Sequence, residues 1–159
     1  MPTDTTFSDS YIETDAELET LIGASPKTAA VALKAAAAAT QEWYCQEATR
    51  HIDQMPLRGT KYEYDQDLEF PRIIDGVIVG DEDQNAVVPT LVKQACLEEA
   101  LAIYANASGG RRKLQEEGVQ SYTIGGKLSE TFRPGAGQSS LESITAARIL
   151  RRYTGVESR

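Results

Sequence analysis

Several things are scarce in this 159-residue chain, and each scarcity removes a class of function. His51 is the only histidine and Cys45 and Cys96 the only cysteines, so neither a zinc cluster nor a disulfide framework can be built. Both cysteines fall in expected helices, where reduced, buried, small apolar side chains are the plain reading. No stretch has the roughly 20 apolar residues of a membrane span. The longest apolar run, Thr28 to Thr40, is mostly alanine with Lys34 inside it. MPTDTTFSDS lacks the basic start and apolar centre of a secretory signal, so cytoplasmic synthesis is the expectation. Gly135 to Ser140 faintly echoes a phosphate-binding turn but lacks the Gly-Lys-Ser/Thr ending that brings a lysine to a terminal phosphate. Asp65, Asp67 and Glu69, like Asp81, Glu82 and Asp83, lack the spacing of a calcium loop and read as exposed acidic segments. Ser139 and Ser140 have no neighbouring base and no nucleophile-elbow motif. No enzyme activity, cofactor or metal is expected.

Positive charge is also scarce, and what there is sits late in the chain. Residues 1–110 carry 7 Lys/Arg against 19 Asp/Glu, a net of −12; residues 111–159 carry 9 against 5, a net of +4. An acidic body repels nucleic acid at long range, which argues against tight, sequence-independent DNA binding. A basic tail on such a body suits an acidic partner surface, including another copy of the chain. Arg148, Arg151 and Arg152, with Tyr153, could hold a phosphate backbone or an acidic partner face, because guanidinium makes bidentate contacts to either.

The apolar spacing predicts a mainly α protein: a small helical bundle with a long central loop, a short β-hairpin or extended arm, and a C-terminal helix. Residues 1–10 are expected to be a flexible arm with Phe7 as an anchor; residues 11–155 form one domain. A short helix over Ser10–Ile22, capped by Asp15, stops at Gly23. A long helix runs from Lys27 or Thr28 to about Gln54, because the Ala35–Ala39 run has the highest helix propensity available. Leu33, Ala36, Ala37, Thr40, Tyr44, Ala48, Ile52 and Met55 form its stripe, and Trp43 and Tyr44 supply the large apolar contacts. Residues 57–89 are a connection long enough to suggest an interface, with a small β element around Asp75-Gly76. Pro89 opens a central helix ending near Ala107. Residues 118–133 read as strands about Gly125-Gly126; a two-residue turn pairs Thr123 with Leu128 but puts apolar residues on both faces, so the register stays open. A last helix spans 140–154, its cations suited to the helix dipole.

The order of certain short elements resembles the head-to-tail connector (adaptor, head-completion) proteins of tailed bacteriophages. They are Tyr11-Ile12, then Ala48-Thr49-Arg50-His51-Ile52-Asp53, Leu68-Glu69-Phe70-Pro71-Arg72 and Val88-Pro89. Lys93-Gln94-Ala95, Leu101-Ala102, a Gly125-centred strand segment, Arg133-Pro134-Gly135 and a closing Arg-Arg-Tyr follow. Related chains often have tryptophan where this one has Phe70. The resemblance implies a structural virion protein of the phage neck, assembled in the host bacterial cytoplasm. It would form a ring, by analogy of twelve copies, between the portal protein and a tail-terminator or stopper protein. Double-stranded DNA would pass through the lumen without specific binding. On that reading Arg148, Arg151, Arg152 and Tyr153 dock the portal. Asp65, Asp67, Phe70, Arg72, Tyr122, Ile124 and Phe132 lie between subunits. The alternative is a single-stranded-DNA-binding replication accessory protein, a role that wants aromatic platforms beside a basic groove; aromatics make up only 7% of the chain.

Overall fold

Helix signals are set by single residues at the start of the chain. The Thr14 side chain accepts from the Glu17 backbone N–H and opens α1 (Asp15–Ile22), and Gly23, with φ of 53°, closes it. The cap is thus one residue earlier than expected: Asp15 instead accepts from the Ala16 and Thr5 backbone N–H groups. The segment before α1 is also not loose from residue 5 onward. Phe7, Ser10, Tyr11 and Ile12 are buried, Thr6 bridges to Thr14, and Ser8 bonds Glu42. The computed structural model describes residues 5–23, 27–81, 85–107, 121–124, 128–131 and 141–155.

The expected long second helix is two helices, α2 (Thr28–Lys34) and α3 (Ala38–Asp53), broken within the alanine run. Propensity differences of at most about 0.7 kcal/mol per residue cannot hold a helix straight against packing. In a continuous helix Leu33 and Cys45 would lie about 120° apart at 3.6 residues per turn. The break turns α3 so that Gln41, Cys45, Ala48, Thr49 and Ile52 all face inward with Leu33. Gln41 seals the joint, its Nε2 donating to the Leu33 and Lys34 carbonyls at 3.2 and 3.1 Å. Those are two of the carbonyls a helix end leaves without partners.

The long connection folds into a three-stranded antiparallel sheet, β1 (Thr60–Lys61), β2 (Arg72–Ile74) and β3 (Val77–Val79). Asp75 and Gly76, both at positive φ, make the β2–β3 turn, and Ile74 pairs with Val77 across it. Gly59 has no substitute: at φ +74°, a Cβ there would sit 2.0 Å from the Ile73 carbonyl oxygen. The Phe70–Pro71 bond is cis.

Helix α4 (Thr90–Ala107) is the centre, packing against α1, α2, α3 and α5 (Ile144–Leu150). Val92, Ala95, Cys96, Leu97, Ala100, Leu101 and Ile103 are buried along it. Burying each of its larger side chains is worth about 1.5–3 kcal/mol, so α4 anchors the whole bundle. A 3₁₀ turn, η1 (Arg151–Tyr153), extends α5. Separately, β4 (Ser121–Ile124) pairs with β5 (Leu128–Thr131) with Ile124 opposite Leu128, one residue from the register of a two-residue turn. The fold is mainly α with a small sheet and a β-hairpin.

Candidate nucleic-acid interface

The last helix is built from both ends. At its start the Ser143 hydroxyl accepts from the Ala146 N–H at 3.1 Å. Reaching up from α4, Glu99 accepts from the Glu142 and Ser143 backbone N–H groups, both at 2.8 Å. Glu99 has no solvent exposure, and His51 of α3 donates from Nδ1 to the same carboxylate at 2.7 Å. That hydrogen bond is the main cause raising the His51 pKa, which burial opposes. A buried carboxylate without partners would be very costly; here three donors from two other elements satisfy it. At the far end Leu57 bridges to Thr154, the Arg58 N–H donates to the Tyr153 carbonyl at 2.8 Å, and the Gly155 N–H donates to Pro56.

Between these anchors α5 has two sides. Ala146, Leu150 and Tyr153 face the core, where Tyr153 meets Phe70 edge-on at 5.3 Å and Phe70 meets Tyr11 at 6.0 Å. Ile144, Arg148, Arg151 and Arg152 are exposed, and their spacing of three and four puts them on one face. These arginines are electrostatically distinct. Every described lysine and arginine before α5 has a carboxylate partner: Lys27 with Glu98, Lys34 with Glu19, Arg50 with Glu47, and Arg58 with Asp75. Lys61 and Arg72 share Glu69, and Lys93 bonds Glu17 and Glu13. Arg148, Arg151 and Arg152 have no such partner among the described residues. Among the described residues the cations before α5 are paired with carboxylates, and those of α5 and η1 form an unpaired cationic face.

The residues expected at interfaces divide sharply. Tyr153 is in the core and does not share a surface with the arginines. Phe70 is buried, and Arg72 is spent internally: its Nε and Nη2 donate to the Arg58 and Gly59 carbonyls at 2.8 Å, and it pairs with Glu69. Both side chains are thus enclosed within the chain's own fold. Asp65 and Asp67 are exposed in the β1–β2 connection. Tyr122 and Ile124 belong to β4, and Phe132 lies outside the described residues. Sequence reasoning missed Glu99, although it sits in the apolar row Val92, Ala95, Cys96 and Ile103 of α4, where a carboxylate signals a buried polar contact.

A second feature is a cleft of about 230 Å³ lined by Asp9, Gln46, Thr49, Arg50, Asp53, Asp67 and Leu68. The Tyr11 hydroxyl donates to Asp53, whose pKa burial raises. Three aspartates make the cleft unfit for phosphate. Among the described residues no His/Cys/Asp/Glu group is arranged to hold a metal ion, and no helix is long and apolar enough to cross a membrane.

The family described as "Putative DnaT-like ssDNA binding protein" matches residues 3–159. The chain belongs to this family. No curated protein and no solved structure matches it. Family membership overturns the phage-connector resemblance, and with it the structural role in the neck, the twelve-copy ring, the portal and tail-terminator or stopper partners, and duplex DNA passing unbound. The short elements that carried the resemblance are largely architectural: Tyr11, Ile12, Phe70 and Arg72 are all buried. An order of core residues marks a packing scheme and is blind to what the surface binds.

Proposed function

We propose that this chain is a non-enzymatic replication accessory protein that binds single-stranded DNA through the face of α5 and η1 carrying Arg148, Arg151 and Arg152. The observation carrying this reading is that these are the described cations with no carboxylate partner, aligned on one exposed face. The family description supports it. Guanidinium groups bind phosphate without base preference, so recognition along the backbone is sequence-independent. Arg58 flanks this face, joined to Tyr153 through its backbone, and its exposed pairing with Asp75 is weak enough to exchange for a phosphate.

The acidic body limits affinity and makes it strongly dependent on salt. Three phosphate contacts on a single strand give a log–log salt slope of about −2, or roughly 20-fold weaker binding between 50 and 200 mM salt. Anisotropy of a labelled oligothymidine measures this directly. The triple variant Arg148→Ala, Arg151→Ala, Arg152→Ala is expected to lose binding and flatten the residual slope. Unchanged affinity and slope would remove the assignment. A duplex of equal length run beside it separates single-strand binding from general attraction to phosphate.

A further inference from the structure

We infer that Asp75 is a competitor of the DNA strand built into the fold: it holds Arg58, a fourth cation of this face, until a phosphate displaces it. This inference rests on the single-strand reading above. The β1–β2 ladder pairs Thr60 with Ile73 and Lys61 with Arg72, and the same register carried back two residues sets Arg58 opposite Asp75. There Arg58 Nη2 lies 3.4 and 3.1 Å from the Asp75 oxygens Oδ1 and Oδ2. Both side chains are exposed, and neither has another ion-pair partner among the described residues.

Direct contacts put Arg58 at the end of the arginine helix. Its N–H donates to the Tyr153 carbonyl at 2.8 Å, and the preceding residue, Leu57, bridges to Thr154. A Cβ added to Gly155 would lie 3.5 Å from Arg58 Cγ, so the stem of the side chain runs against the residue two beyond η1. The backbone is pinned from the other direction as well. Buried Arg72 donates from Nε to the Arg58 carbonyl and from Nη2 to the Gly59 carbonyl, both at 2.8 Å. With its N–H and its carbonyl both held, Arg58 has only its exposed guanidinium left to move. A cation placed in this way loses little freedom on taking a phosphate.

The exchange favours a strand that is already seated. An exposed ion pair changes an equilibrium by roughly fivefold at most. A strand held by Arg151 and Arg152 presents its next phosphate to Arg58 as an intramolecular step, at high effective concentration. Guanidinium can meet a phosphate through two parallel N–H bonds, whereas Asp75 engages a single nitrogen. The Asp75 side chain is 78% exposed, so its carboxylate returns to water when the pair opens and no buried charge is left behind.

Asp75→Asn removes the charge and keeps the turn. Asp75 and Gly76 have φ of 53° and 79°, the backbone that asparagine followed by glycine favours in a two-residue hairpin. The full-length chain is titrated with fluorescein-labelled oligothymidine at several salt concentrations, and circular dichroism checks that each variant is folded. Asp75→Asn should bind roughly 1.5- to 5-fold more tightly at low salt. Arg58→Ala should weaken binding and make the salt slope shallower by about 0.7, the share of one phosphate contact. The double variant decides: with Arg58 replaced by alanine, Asp75→Asn should gain less than it does with Arg58 present. No tightening, or equal tightening without Arg58, would show that Asp75 is only a surface charge and overturn the inference. If Arg58→Ala changes neither affinity nor slope, Arg58 does not touch the strand, and the α5 and η1 arginines act alone. If wild type shows no anisotropy change at any salt, the single-strand reading falls as well.

Discussion

Removing the Glu99 carboxylate tests whether one buried acid holds the arginine helix in place. It receives the Glu142 and Ser143 N–H groups at 2.8 Å and His51 Nδ1 at 2.7 Å, with no water access. Glu99→Ala leaves two backbone donors and a histidine facing a cavity. A hydrogen bond to a charged group is worth about 1.5–3 kcal/mol, but the three share one acceptor and do not add. Glu142 is partly exposed, so water recovers some of the loss. The expected cost is about 3–5 kcal/mol, the range for breaking a buried charged contact on one side. Against the roughly 5–15 kcal/mol of a whole domain, that is a large share. Glu99→Gln keeps the shape but presents a donor where one acceptor stood, and should fall between wild type and alanine. The adjacent Glu98 is the control: its pairing with Lys27 is exposed, so Glu98→Ala should cost under about 1 kcal/mol. Urea unfolding measures all three through the midpoint at constant slope. If Glu99→Ala matches Glu98→Ala, the carboxylate is not the fastening that the geometry implies, and the helix is held by its apolar side alone.

Further outcomes follow from the same structure. The His51 pKa is raised above its ordinary value of 6.5 by the bond to Glu99, so the stabilisation from protonated His51 is full below about pH 6.5 and is lost as pH rises through the folded-state pKa. The difference in urea midpoint between wild type and His51→Gln should therefore shrink from pH 5.5 to pH 9; a constant difference would contradict this. Gly59→Ala drives a Cβ into the Ile73 carbonyl at a positive φ, costing about 1–3 kcal/mol and lowering the melting temperature by several degrees. Burial pushes the Cys96 thiol up to about 12 and raises that of Cys45. Ellman's reagent should label neither in the native protein and both in urea, and fast native labelling would show the α3–α4 contact opening.

How much of this was legible in the sequence depended on whether a residue acts through its neighbours in the chain or across space. Helix punctuation is local, so Gly23, Pro89 and the Asp75-Gly76 turn marked their elements, and the mainly α class with a small β element followed from them. The arginine row was readable for the same reason: spacing of three and four aligns residues on any helix. Alanine propensity misled at Ala35–Ala39, because a preference of tenths of a kcal/mol yields to turning a whole apolar stripe toward the core. By itself the sequence determined the helix punctuation, the mainly α class, the acidic body and the late basic charge. Only the tertiary structure decided which charges cancel. Glu69, Glu47 and Glu17 reach Arg72, Arg50 and Lys93, Glu99 goes inside, Tyr153 turns to the core, and the α5 arginines lie exposed with no carboxylate partner among the described residues. Composition counts charges, but an ion pair needs two groups within about 4 Å, and that distance is set by packing.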